Sequence, residues 1–306
     1  MNIYITAKKN DFNDKQVELL EKIGNIIYIE SVFKLDDAVY LNDYGDKILA
    51  VDPNYYDWNL TNDHIDKIKN LKALCLSTPS SVWVDIEHCK EQGIVVTNVP
   101  RCSTTAVAEY AIFMMMAIAR KLPLVLKSNV RSNSSEDYLM SNLKDKKVGV
   151  IGLGNIGTNI ADLCNGLGMK VNYWSLRTRN DKYKYLELEQ LFRESDFIFP
   201  AFISSADTKN IITDDLIKEM QENASFVSII HNSFYNHNLL LEMVKSNKLY
   251  GYAFEEENDD IFKYKGNIFV TPSYAGYTKE TMDQLVEIWF DSISGIVNNN
   301  IINCVN

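Results

Sequence analysis

Lys147-Val-Gly-Val-Ile-Gly-Leu-Gly-Asn-Ile-Gly157 decides the reading of the fold. Val148, Val150 and Ile151 form the short apolar run of a buried parallel strand. Gly152, Gly154 and Gly157 follow at G-x-G-x-x-G spacing, and residues 155–167 read as a helix. In such a turn the first glycine permits a tight bend and the second lets backbone approach a pyrophosphate. The third lets the helix pack closely on the strand. The helix start aims free N–H groups and its positive dipole end at the same pyrophosphate. Gly152, Gly154, Asn155, Ile156 and Gly157 are therefore the candidate cradle for a dinucleotide. An ordinary glycine turn is the alternative. The next strand, predicted over 170–174, falls where a dinucleotide-binding unit needs it and favours the first reading.

A fold of this kind that prefers NAD places an acidic side chain at the end of that second strand, where it accepts a hydrogen bond from the ribose 2′-OH. Here the place is Ser175, followed by Leu176, Arg177, Thr178 and Arg179. A 2′-phosphate would be repelled by a carboxylate and is suited to Ser175, Arg177, Thr178 and Arg179, because guanidinium forks onto phosphate oxygens. The expected cofactor is NADP(H), with NAD(H) left open. A solvated basic loop is the alternative reading of the same residues.

Outward from this core, residues 1–99 alternate strand and helix without a glycine fingerprint. Strands are predicted at 3–6, 26–29, 48–51, 71–76 and 94–99, with helices at 14–23 and 84–91 and a weak one at 35–42. This rhythm predicts a parallel, helix-covered sheet. The loop Ser77-Thr-Pro-Ser-Ser81 follows a strand's carboxyl end, where open α/β sheets bind ligands. Residues 104–120 read as a helix apolar nearly all round, which predicts burial on more than one face. The polar stretch 127–135 reads as a loop. After Ser175 the alternation resumes, with strands at 197–199, 225–230, 251–254 and 268–270. An amphipathic helix closes the chain over 279–297.

With 306 residues, two domains are the prior. A formal charge of −10 argues against nucleic acid as a partner. No apolar run suits a membrane span, and the first residues do not read as a secretory leader, so the expectation is a cytoplasmic protein. Cys75, Cys89, Cys102, Cys164 and Cys304 lack C-x-x-C spacing and read as free, mostly buried thiols, with no metal site expected.

The chain resembles the D-isomer-specific 2-hydroxyacid dehydrogenase family, which includes glyoxylate and hydroxypyruvate reductases. The resemblance rests on the runs Cys89–Pro100, Ser103–Tyr110 and Val148–Gly157, on Asp207-Thr208, and on Thr271-Pro-Ser-Tyr-Ala-Gly-Tyr-Thr278. It implies two Rossmann-like α/β domains. One is a flavodoxin-like substrate domain over 1–99 plus 278–306, and the other a doubly wound parallel-sheet dinucleotide domain over 100–277. It also implies a homodimer, a small-molecule substrate, and cofactor contacts from Thr104 and Thr208. By the same resemblance Thr78, Ser80, Ser81 and Tyr274 would contact substrate.

The family's chemistry uses an Arg that clamps the substrate, a His that donates the proton, and a Glu that tunes the His. In this sequence the Arg position holds His231, followed by Asn232 in place of Gly, and the His position holds Ser273. Near the Glu position stand Glu257, Asp259 and Asp260, with Asp260 in the best register. A Ser hydroxyl cannot alone act as a general acid near neutral pH. Pro79 also removes an N–H from the loop that would hold a carboxylate.

Three readings follow. In the first, an NADP(H)-dependent oxidoreductase acts on a small 2-keto or 2-hydroxy acid, or a related carbonyl, with His231, Ser273 and Asp260 as altered catalytic residues. In the second, the protein is a cofactor-binding sensor or scaffold without turnover. In the third, a conventional 2-keto acid reductase draws a missing residue from elsewhere, such as Arg101. His64, His88 and His237 read as surface or structural.

Overall fold

The structure, a computed structural model, describes residues 1–127, 139–203, 207–257 and 263–306. They divide into two units, Met1–Cys102 with Lys279–Asn306, and Ser103–Thr278.

In the first unit the chain runs β1 (Asn2–Ile5), α1 (Asp14–Ile23), β2 (Asn25–Tyr28), β3 (Lys47–Val51), α2 (Asn62–Lys67), β4 (Leu71–Leu76), α3 (Ile86–Glu91) and β5 (Val95–Thr97). The strands are all parallel in the order β2-β1-β3-β4-β5, the flavodoxin-like order. Every residue of the central β3 is buried, as a strand covered on both faces requires. The chain's last helix, Lys279–Val297, returns to this unit, where the Trp289 indole N–H donates to the Cys75 carbonyl at 2.7 Å and its ring stacks on Phe12.

One sequence expectation changes here. The weak helix over 35–42 is two short 3₁₀ turns, Leu35–Asp37 and Val39–Asn42, because Ala38 between them is extended. His64, read as surface or structural, is structural. It lies in the core with Tyr40 and Tyr56, its Nε2 2.7 Å from the Tyr40 hydroxyl, and burial lowers its pKa. Of the cysteines, Cys75, Cys89, Cys102 and Cys164 are buried and Cys304 is exposed, all as free thiols.

The second unit runs α4 (Thr104–Ala119), α5 (Leu122–Lys127), β6 (Lys147–Ile151), α6 (Asn155–Gly166), β7 (Lys170–Trp174), β8 (Lys184–Tyr185), α7 (Leu188–Glu194), β9 (Phe197–Pro200), α8 (Asp214–Lys218), β10 (Ser225–Val227), α9 (His237–Lys245), β11 (Gly251–Glu255) and β12 (Ile268–Thr271). Its parallel strands lie in the order β12-β11-β10-β9-β6-β7-β8. The strand order reverses at β6, and in open sheets ligands bind beyond the strand ends at such a switch point. One sheet face packs on α4 and α6, through Ala108, Met115, Val148, Val150, Ile160 and Phe199.

Helix α4 buries nine residues but leaves Phe113 46% and Met116 38% exposed. Its apolar circumference is thus only partly covered within the unit. The stretch read as a loop over 127–135 lies outside the described residues except for Lys127, which closes α5. Among the described residues, no helix is long and apolar enough to cross a membrane.

Candidate functional site

The glycine turn joins β6 to α6 at the switch point, and its three glycines are under three different constraints. Gly152 has φ +96, and a Cβ there would lie 2.7 Å from the Ala201 carbonyl oxygen. A Cβ on Gly157 would sit 2.0 Å from the Gly152 carbonyl oxygen, so helix and turn touch through backbone alone. A Cβ on Gly154 would meet nothing within 4 Å. The side of the turn at Gly154 is therefore open, as the approach of a ligand requires. Gly154 also supplies no side-chain cap to α6, so the N–H groups of its first turn, at Asn155, Ile156 and Gly157, can receive an anion. A tight turn, an open approach and an uncapped helix start fit the pyrophosphate of a dinucleotide.

Beyond β7, Ser175 is buried and its Oγ accepts the Thr178 N–H at 3.2 Å. The predicted phosphate-binding arginines differ in how far they are committed. Arg179 turns back onto its own loop. Its Nη1 donates to the carbonyls of Ser175 at 2.8 Å and Thr178 at 3.1 Å, and its guanidinium lies 4.6 Å from the Tyr185 ring centroid. The short loop brings those carbonyls within its reach, so Arg179 as seen here braces the pocket wall. Arg177 reaches the other way and pairs with Asp207 at 3.0 Å. Thr208 is buried and its hydroxyl donates to the Ile203 carbonyl at 2.7 Å. Thr104 is the first residue of α4.

At the ends of β10, β11 and β12 stand His231, Glu255, Ser273 and Tyr274. His231 is exposed and caps the 3₁₀ turn Asn232–Phe234. Its Nδ1 accepts the Ser233 N–H at 3.2 Å and lies 2.8 Å from the Ser233 hydroxyl. A ring nitrogen that accepts a backbone N–H carries no proton, so the neutral imidazole holds its proton on Nε2. Next to it, the Asn232 side-chain amide donates to the Glu256 carboxylate.

Ser273 and Tyr274 are both exposed and follow β12. Asp260, assigned by register as the tuning carboxylate, lies outside the described residues, as does Asp259. The carboxylates that sequence reasoning missed are Glu255 and Glu256. Glu255 closes β11, and its Oε1 accepts the Ala275 N–H at 2.8 Å, two residues past Ser273. Burial raises its carboxyl above the usual carboxylate range, against the lowering effect of backbone N–H donors. The signal was available as an acidic residue ending the apolar run Gly251–Phe254, at a strand's carboxyl end.

In the other unit, the loop after β4 carries Thr78, Ser80 and Ser81. The Thr78 hydroxyl donates to the Ser80 carbonyl at 2.7 Å, and the Trp83 indole N–H lies 3.1 Å from both the Thr78 hydroxyl and that carbonyl. Thr78 therefore braces the loop. The Ser81 carbonyl accepts the Val84 N–H, and Ser80 is exposed. Arg101, in the same unit, is held at φ +66.

Comparison with known proteins adds four findings. The family model described as "D-isomer specific 2-hydroxyacid dehydrogenase, NAD binding domain" matches residues 112–274. A glyoxylate reductase of Thermococcus litoralis is 30% identical over 255 residues, covering 75% of this chain and 76% of that protein. Among solved structures, an acyclic imino acid reductase in complex with NADPH and D-Arg superposes with a TM-score of 0.84 at 22% identity, covering 100% of both chains. A D-lactate dehydrogenase from Aquifex aeolicus, complexed with NAD and lactic acid, gives 0.80 at 23% identity, covering 98% of this chain and 96% of that one. At these identities the two structures establish a shared fold.

Proposed function

Because the chain belongs to the D-isomer specific 2-hydroxyacid dehydrogenase family, we propose that it is an NADP(H)-dependent oxidoreductase acting on a small 2-keto or 2-hydroxy acid, or a related carbonyl, through an altered site. The observation that carries the cofactor assignment is the glycine turn, open at Gly154, beside a strand end without a carboxylate at Ser175. Gly152 to Gly157 would hold the pyrophosphate. Ser175, Arg177 and Thr178 would take the 2′-phosphate, Arg179 bracing the wall behind them. The cofactor, when bound, supplies hydride exchange with the substrate carbon.

The protein's own residues must then manage the proton. As proton donor His231 would act as the protonated ring, Nδ1–H donating to the Ser233 hydroxyl 2.8 Å away and Nε2–H passing to the substrate oxygen, which leaves the neutral imidazole. Glu255 adds a half-buried carboxyl that burial raises above the usual carboxylate range, and Ser273 and Tyr274 would shape the pocket. The exposure of His231 and Ser273 favours one second reading, a protein that binds the dinucleotide as a sensor or scaffold without turnover.

Ser175→Asp tests the cofactor assignment. A carboxylate there repels a 2′-phosphate and accepts a hydrogen bond from a 2′-OH. Titration by fluorescence should show NADPH affinity falling by about tenfold and NADH affinity rising, the order of one or two charge-assisted contacts. Unchanged affinities for both would refute this reading of the ribose pocket.

The homodimer belongs to the same proposal. Phe113 and Met116 on α4, with Val125 and Leu126 on α5, leave an apolar face exposed on this unit. Covering it with a second copy removes that surface from water. Sedimentation equilibrium should give a dimer for the natural chain and a monomer for Phe113→Glu. A monomeric natural chain at micromolar concentration would reject the assignment. We place the protein in the cytoplasm, in keeping with its free thiols.

A further inference from the structure

Arg177 and Asp207 lie on different loops of the same sheet. Arg177 follows β7, and Asp207 follows β9. These strands flank β6 on its two sides, so an ion pair of 3.0 Å between them spans the end of the strand that enters the glycine turn. The pair crosses the place where the switch point opens. The arginine side chain is 84% exposed and the aspartate 62%, so water and salt compete with the pair and little free energy holds it closed. Arg179, by contrast, has two carbonyl partners and an aromatic face. Of the two arginines assigned to the ribose end, Arg177 is the one held by a carboxylate.

We propose that Asp207 is a specificity-determining residue for the dinucleotide, acting by competing with a 2′-phosphate for Arg177. This rests on the reading that the loop after β7 takes that phosphate. A 2′-phosphate carries charge and acceptor oxygens that suit guanidinium and can take Arg177 from Asp207. A 2′-hydroxyl cannot, so Arg177 stays with Asp207 when the ligand lacks the phosphate. The carboxylate also repels the incoming phosphate directly. Asp207 therefore lowers the preference for a phosphorylated ribose below what the arginine alone would give.

The experiment uses the full chain with adenosine 2′,5′-bisphosphate and adenosine 5′-monophosphate as probes, which differ only in the 2′-phosphate. Calorimetric titration at low ionic strength gives the ratio of their affinities. Asp207→Asn should raise the ratio about threefold or more, the size set by a weak exposed pair together with relief of repulsion. Asp207→Ala should do the same, which separates loss of charge from a change of side-chain shape. Arg177→Ala should bring the ratio down, and adding Asp207→Asn to it should then do much less. A ratio that Asp207→Asn leaves unchanged or lowers, while Arg177→Ala collapses it, overturns the competition and leaves the phosphate-binding loop standing. A ratio near one in both the natural chain and Asp207→Asn overturns the loop's assignment as well.

Discussion

Replacing His231 with alanine is expected to lower turnover of a 2-keto acid with NADPH by about 10²-fold or more, because a positioned general acid contributes ~10²–10⁴ in rate. His231 brings an imidazole, with two ring nitrogens able to carry a proton, to these strand ends. Its partner arrangement leaves Nε2 for the substrate. The Ser233 hydroxyl, 2.8 Å from Nδ1, can accept Nδ1–H of the protonated ring, which gives up its Nε2 proton and returns to neutral imidazole. The alternative donors are poorer. Ser273 is exposed and an alcohol does not give up its proton readily. Glu255 has a carboxyl that burial raises above the usual carboxylate range, but its Oε1 is engaged by the Ala275 N–H. NADPH affinity of His231→Ala, measured by fluorescence, should stay within about twofold of the natural value, the scatter of surface substitutions. Turnover that survives the substitution intact would remove His231 from the chemistry.

The glycine pair gives the second large effect and separates folding from binding. Gly157→Ala puts a Cβ 2.0 Å from a backbone oxygen, and neither helix nor turn has a flexible side chain to yield. Ala is intrinsically the better helix residue by about 1 kcal/mol, so a loss of stability there must come from the collision. The expected result is a fall in Tm of several degrees together with more than tenfold weaker dinucleotide binding, since strain of ~1–3 kcal/mol displaces the turn. Gly154→Ala has φ −79 and open space around the new methyl group. Its Tm should stay close to that of the natural chain, within the ~0.5 kcal/mol of ordinary surface changes. Its dinucleotide affinity should fall, because the methyl group occupies the approach. Equal binding by Gly154→Ala and the natural chain would show that the ligand does not enter on that side.

The glycine turn was legible because backbone geometry alone demands its residues. Gly152 needs a positive φ and Gly157 a missing Cβ, and only glycine meets both demands. Alternating apolar runs likewise made the two parallel sheets readable. Side-chain commitments were not. Nothing in the order of residues says that Thr78 braces its loop under Trp83, that Arg179 bends back to Ser175 and Thr178, or that His64 joins two tyrosines in a core. Each depends on a partner that only folding brings near. The tuning carboxylate was sought by counting along an acidic run, where a charge at any of several positions satisfies the pattern. Among the described residues of that region, burial raises the Glu255 carboxyl, and burial is a property of the packed sheet end.

The most direct test of the account is titration of the full chain with NADPH and with NADH, followed by quenching of protein fluorescence. Saturable binding of both, with NADPH bound about tenfold or more tightly, is the expected result for a glycine cradle beside a ribose site that offers arginine and no acid at Ser175. Binding of neither would contradict the central claim, and tighter binding of NADH would contradict the assignment of the phosphate.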